Sequence, residues 1–140
     1  MSFEKLDIKD TSTKEGRSCI ILCNFATKEL KLAKSYSKVI GLNDQISVSY
    51  KNGESKIRDI ITNTELYNNC DGPKDKAVLF NNVSSFKINL FIENLKKLRI
   101  NNTLIATVTD TSLDWTLNTL ISTLVTERIA IKNGRNIDHN

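Results

Sequence analysis

The stretch Ala77-Val78-Leu79-Phe80-Asn81-Asn82-Val83, followed by Ser84 to Arg99, then Thr103-Leu104-Ile105-Ala106-Thr107-Val108-Thr109 and the segment from Thr111 onward, decides the fold. It reads as a β run, an amphipathic helix, a second β run and a second amphipathic helix. Ile88, Phe91, Ile92, Leu95 and Leu98 recur at the i, i+3, i+4, i+7 spacing of an apolar stripe that lies on a sheet. Phe86 and Leu90 fall outside it. The last helix is predicted to start at Thr111 or Ser112, with Asp114 in its first turn, where a carboxylate complements the dipole. Its stripe runs through Leu113, Leu117, Leu120, Ile121 and Leu124 to Arg128 and Ile131.

The upstream half is a weaker copy. A shift of 58 residues lays Ile20-Ile21-Leu22 on Val78-Leu79-Phe80, Asn24 on Asn82, Leu30 on Ile88, Ile40 on Leu98, and Ile46, Val48 and Tyr50 on Leu104, Ala106 and Val108. Cys19 to Cys23 is a continuous apolar run, as in a strand covered on both faces. Thr27 is the expected N-cap of a helix to about Ile40, stopped by Gly41. Gln45 to Tyr50 alternates polar and apolar, the pattern of an edge strand, and Ile57, Ile60 and Ile61 space a short helix. Asn68 to Asp75, with the only proline, is the linker.

The expected fold is therefore one α/β domain over 18–131, made of β-α-β-α pseudo-repeats at 18–67 and 76–131, with a flexible N-terminal arm over 1–17 and a disordered tail over 132–140. Phe3, Leu6 and Ile8 could add a short strand to the arm. The four strands are expected in the order 2-1-3-4, with Cys19–Cys23 and Ala77–Asn82 central. Helical crossovers favour a mainly parallel sheet. The alternative is a ferredoxin-like or ACT-like α+β sheet, in which the first and third strands run antiparallel.

Composition narrows the function classes. At 140 residues with 39% hydrophobic and 26% charged residues, the chain is of ordinary globular make-up and long enough to bury a core. No apolar run could span a bilayer, and the first ten residues lack the apolar core of a signal peptide, so the expected location is the cytoplasm. Three cysteines make no disulfide framework; Cys19 and Cys23 are read as buried thiols and Cys70 as the more exposed one. A net charge of +4 is a mild preference for anionic partners. No aromatic pair, GxxG loop or helix-turn-helix spacing accompanies it, so nucleic acid is not the expected partner.

Catalytic constellations are sparse. The only histidine, His139, stands at the end of the chain, no glycine-rich phosphate loop is present, and neither a metal nor a cofactor is expected. An enzyme is the least favoured class. If all four strands were parallel, Asn24, Tyr50, Asn82, Thr109, Asp110 and Ser112 would gather at the carboxyl edge, where α/β sheets hold ligands. The same residues also serve turns and caps, so a small-molecule sensor is the second reading. Trp115, at 100° per residue, points away from the last helix's stripe, and Tyr36, Leu32, Phe86 and Leu90 are off-stripe too. Trp115, Tyr36, Phe86 and Leu90 are the expected interface of a protein-interaction module or homodimer, the leading reading.

Ala77 to Phe80, the helix after them, Leu104 to Thr109 and Trp115-Thr116-Leu117 together resemble a small uncharacterised domain family of Gram-positive bacteria. Its members read as an apolar strand, a helix, an Ala-x-x-Thr strand and a Trp-Thr-Leu helix start. The resemblance covers about residues 76 to 128 and implies no activity; it directs attention to Thr109 and Trp115.

Overall fold

The structure, a computed structural model, describes the backbone of residues 16–139 and the side chains as far as Arg128. The expected strand of Phe3, Leu6 and Ile8 lies outside the described residues, as does most of the expected arm. In chain order the elements are β1 (Cys19–Cys23), α1 (Thr27–Val39), β2 (Gln45–Val48), a 3-10 turn (Tyr50–Asn52), α2 (Ile57–Ile61), β3 (Ala77–Asn81), α3 (Ser85–Lys97), β4 (Leu104–Thr107), a second 3-10 turn (Ser112–Asp114) and α4 (Leu117–His139).

The sheet has the order β2-β1-β3-β4. Its outer pairs, β1 with β2 and β3 with β4, are parallel, as a strand-helix-strand connection requires. The central pair is antiparallel, so the α/β sheet is mainly parallel as expected, with its first and third strands opposed as in the alternative arrangement; the condition of four parallel strands, on which the gathering of strand-end residues depended, is not met. The reason is physical: the 15-residue loop 62–76 is held at the carboxyl end of β1, where Asn24 Nδ2 donates to the Pro73 and Asp75 carbonyls, so β3 starts there and runs back against β1.

Facing one another in this central pair are Ile21 and Leu79, which are also equivalents under the 58-residue shift. A pseudo-twofold axis normal to the sheet therefore passes between them. On the helical side that carries α2 and α4 a second pair straddles the axis, the isolated bridge between Lys56 and Thr116. There the Ile57 N–H donates to the Trp115 carbonyl and the Leu117 N–H to that of Ser55, both at 2.9 Å. The shift is now 60 residues, and the strand registers show it already at β4: Ile46 answers to Ala106 and Val48 to Val108, not to Leu104 and Ala106 as expected, because two extra residues lie between α3 and β4. It aligns Ile57, Ile60 and Ile61 with Leu117, Leu120 and Ile121, all six buried. The duplication thus extends through both second helices.

Alternation along the central strands feeds two cores. Cys19, Ile21, Cys23, Ala77 and Leu79 meet α2, α4 and Leu113 on one face. Ile20, Leu22, Val78 and Phe80 meet α1 and α3 on the other. Burial of each large side chain contributes about 1.5–3 kcal/mol, which explains why β1 and β3 are apolar throughout. In the α1–α3 core Phe91 lies edge-on to Phe80 with ring centroids 5.7 Å apart, and Tyr36 lies against Phe91 at 6.4 Å.

Helix boundaries depart from expectation in three places. Thr27 is the first residue of α1 and not its N-cap; Ala26 holds that place with extended backbone and offers no side-chain bond. The chain does not become α-helical at Thr111 or Ser112: a single 3-10 turn comes first, Trp115 is extended, and α4 starts at Leu117. The bonds from Ile57 and to Ser55 pull the chain straight there. At the far end α4 continues to His139, eight residues past the expected limit at Ile131, with no proline to stop it. Arg128 does not join an apolar stripe but is exposed and pairs with Asp75 at 3.4 Å.

Candidate functional site

The antiparallel centre puts the carboxyl ends of β1 and β2 at one end of the sheet and those of β3 and β4 at the other. Asn24 and Tyr50 are at the first end; Asn82, Thr109, Asp110 and Ser112 are at the second. Six residues of strand register separate Asn24 from Asn82, about 20 Å at about 3.4 Å per residue. The expected gathering of strand-end residues is corrected accordingly.

What the two asparagines do is structural. Each adopts a left-handed backbone, φ 62° at Asn24 and 56° at Asn82, to turn from strand to helix, a conformation asparagine tolerates well. Each side chain then reaches across the axis. Asn24 Nδ2 donates to the Asp75 carbonyl at 2.9 Å, and Asn82 Nδ2 to the Arg17 carbonyl at 3.0 Å. Arg17 and Asp75 are equivalents under the 58-residue shift, so these are symmetric staples between the halves. Asn24 also donates to the Pro73 carbonyl at 3.1 Å, and its Oδ1 accepts from the Tyr50 N–H at 2.7 Å. No polar atom of its side chain is spare.

Thr109 and Ser112 are likewise occupied with each other. The Thr109 N–H donates to Ser112 Oγ at 2.9 Å and the Ser112 N–H to Thr109 Oγ1 at 3.2 Å, a reciprocal box around the second 3-10 turn. Ser112 is buried, while Asp110 is exposed beside it.

Trp115 is half-buried and packs against the α2–α4 core, correcting the expectation that it points away from the sheet. Tyr36 and Leu90 lie on the opposite side of the sheet, in the α1–α3 layer. The four expected interface residues therefore do not share one surface. Tyr36, Phe86 and Leu90 do: the Tyr36 hydroxyl donates to the Leu90 carbonyl at 3.4 Å across the seam between the helices. The antiparallel run of α1 and α3 sets the last turn of α1 beside the first turn of α3, where Lys87 Nζ lies 3.0 Å from the Cβ position at Gly41.

The outer face of this layer is the molecule's candidate site. Among the described residues four large apolar side chains are exposed, and three are here: Val39 at 78%, Phe86 at 72% and Leu32 at 42%. Leu32 and Leu90 are equivalents under the twofold, so the apolar seam crosses the axis. Lysines flank it on both sides. Over 27–41 and 85–99 there are eight cations against two carboxylates, whereas the rest of 16–128 has seven cations against nine. Lys28, Lys31, Lys34 and Lys38 stand on α1; Lys87, Lys96, Lys97 and Arg99 belong to α3 and its end. None of the eight has an acidic partner among the described residues. Of the two carboxylates Glu29 is committed to Lys76 at 3.1 Å.

Leu32, Tyr36, Phe86 and Leu90 are legible in the sequence, as is Val39 on one stripe with Leu32 and Tyr36 though not as an interface residue; the charge excess is not. Its signal is a helical wheel of α1 drawn beside that of α3.

The thiols offer no chemistry to match. Burial pushes Cys19 up to about 11 and Cys23 up to about 12, so both stay protonated near neutrality. Cys70 accepts from Asn118 Nδ2 at 3.3 Å. Among the described residues no cluster of three potential metal ligands occurs, and no helix is long and apolar enough to cross a membrane.

Residues 76–131 match the family model of a domain of unknown function (DUF3783), which spans β3, α3, β4 and the first part of α4. No curated protein matches the chain, and no solved structure does. The segment expected to resemble an uncharacterised family is thus matched by one.

Proposed function

We propose that this protein is a non-catalytic, cytoplasmic interaction module whose working surface is the outer face of the α1–α3 layer. One observation carries the reading: Phe86, Val39 and Leu32 are exposed together on a face none of whose eight cations has an acidic partner among the described residues. Contiguous exposed apolar side chains rimmed by charge are what protein-binding surfaces present. A second copy is the less favoured occupant, because two such faces each bring an excess of six positive charges into contact. A ligand sensor at the strand ends has less support, since Asn24, Thr109 and Ser112 already spend their polar atoms on the fold.

Photo-crosslinking in living cells tests this. A photoreactive residue at Asn89, on the outer face of α3, is expected to give discrete protein adducts that Phe86→Asp abolishes, while the same residue at Ser122 on α4 gives none. Absence of adducts at Asn89, or adducts indifferent to Phe86→Asp, would end the proposal. A dimer-sized adduct as the sole product would replace it with self-association.

A further inference from the structure

Resting on that reading, we infer that the partner presents an acidic amphipathic helix, which lies along the α1–α3 seam with its apolar side on Leu32, Val39, Phe86 and Leu90 and its carboxylates on the lysines to either side.

Three features narrow the occupant to this chemistry. The seam between two antiparallel helices is a linear track, and α1 and α3 are each 13 residues, about 20 Å at about 1.5 Å per residue. That length matches a helix of three to four turns with anchors at i, i+3, i+4 and i+7. Next, the cations lie on both flanks of the apolar track, so a helix in it meets positive charge on each side. At 100° per residue Lys31 and Lys38 fall on the α1 flank and Lys96 on the α3 flank, while Lys28 and Lys97 lie about 20° from Val39 and Phe86, at the edge of the track itself.

The third feature separates a protein from the other anionic surfaces. Glu93 is exposed and falls on the outer side of α3, about 20° from Phe86 at 100° per residue. A phosphate backbone or an anionic bilayer is negative everywhere and would meet this carboxylate with repulsion. A folded partner accommodates it with a single cation opposite. Among the four anchors Phe86 is the one ring, whereas a nucleic-acid groove presents successive aromatic side chains on which consecutive bases stack.

Fluorescence anisotropy of the full-length protein decides it. The probe is a labelled synthetic peptide of about 18 residues, five helical turns, with leucine at i, i+3, i+4 and i+7, glutamate on both flanks and one lysine placed to face Glu93. Its controls are a scrambled peptide of the same composition, a single-stranded and a duplex oligonucleotide, and phosphatidylserine vesicles. The expected result is binding of the ordered peptide that weakens about tenfold with the scrambled one, with Phe86→Asp and with Lys96→Glu/Lys97→Glu, and again at high salt. Failure of the ordered peptide to bind, equal binding of the scrambled peptide, or tighter binding of oligonucleotide or vesicle at the same salt would each overturn the inference. Should it fall while the Asn89 adducts still depend on Phe86, the face is a docking site for a protein of different chemistry; loss of both removes the site.

Discussion

The two halves of this molecule share one plan and divide its labour unequally. In the α1–α3 core, Ala33 and Ser37 of the first half are the equivalents of Phe91 and Leu95 in the second, and all four are buried. One half supplies the bulk and the other the room for it. Ser37 fits because its hydroxyl donates to the Ala33 carbonyl at 2.7 Å within its own helix. A duplicated fold escapes strict symmetry in this way: two phenylalanines cannot both occupy the axis, so one copy grows smaller as the other grows larger.

The most forceful way to break that complementarity is Phe91→Ala. It should cost about 3–5 kcal/mol, because the Phe80 and Tyr36 rings lose their shared neighbour. Ala33→Leu alone should overpack and cost about 1–3 kcal/mol. Combined, the two should cost less than their sum, which urea denaturation of the four proteins in a double-mutant cycle reads directly. Additive losses would mean the halves do not fill one another's space.

The staples sharpen the comparison next. Asn24 makes three side-chain hydrogen bonds, while Asn82 makes the one to Arg17, a carbonyl that Asn81 also holds at 2.7 Å. Asn24→Ala should therefore lose more than Asn82→Ala, about 2–4 kcal/mol against about 1–2, each including the left-handed penalty of about 1 kcal/mol. Thermal unfolding in parallel would expose a reversed order.

Helix starts differ too. Ser84 accepts from the Lys87 N–H at 3.3 Å to cap α3, whereas Ala26 gives α1 nothing. Ser84→Ala should cost about 1 kcal/mol, and Ala26→Ser should return a similar amount to the first half. Equal midpoints for Ala26→Ser and the parent protein would show that solvent already serves those amides.

The smallest effect is electrostatic. Arg17 binds Asp44 through two contacts of 2.7 Å, an arrangement that holds the Asp44 carboxyl below its ordinary 3.8; by strand register the position of Asp44 is taken in the second half by the apolar Leu104. Because the folded value is depressed, the pair's contribution is complete above the ordinary value and is lost as pH falls through the folded one. Both side chains are around a third exposed or more, so this amounts to about 0.5 kcal/mol. Asp44→Asn should flatten the acid limb of the stability profile slightly, and an unchanged acid limb would show that the pair adds nothing to stability.

Much of this architecture is readable from the chain. Cys19–Cys23 and Ala77–Asn81 announce central strands because they are apolar on both alternating faces, and the 58-residue shift places α1 and α3 with matching limits. The direction of the central pair is not readable, for a strand buried on both faces has the same composition beside a parallel or an antiparallel neighbour. That one ambiguity moved Asn24 away from Asn82 and dissolved the expected ligand edge. Trp115 failed for a different reason: an angle of 100° per residue is meaningless across the extended break at Trp115, set by tertiary bonds to Ser55 and Ile57. The lysines look evenly dispersed because α1 and α3 are separated by 45 residues of other structure, numbers 40–84.

The antiparallel join between β1 and β3 has a consequence for how such a protein is built. Each half is a complete strand-helix-strand-helix unit, and the surface it offers at the join is the one its counterpart offers in return. The loop 62–76 makes an association into an intramolecular event, with an effective concentration in the millimolar range for a short tether. Tethered so, the first half no longer has to recognise a free partner. It is at liberty to stay small where Ala33 and Ser37 meet the bulk of Phe91 and Leu95.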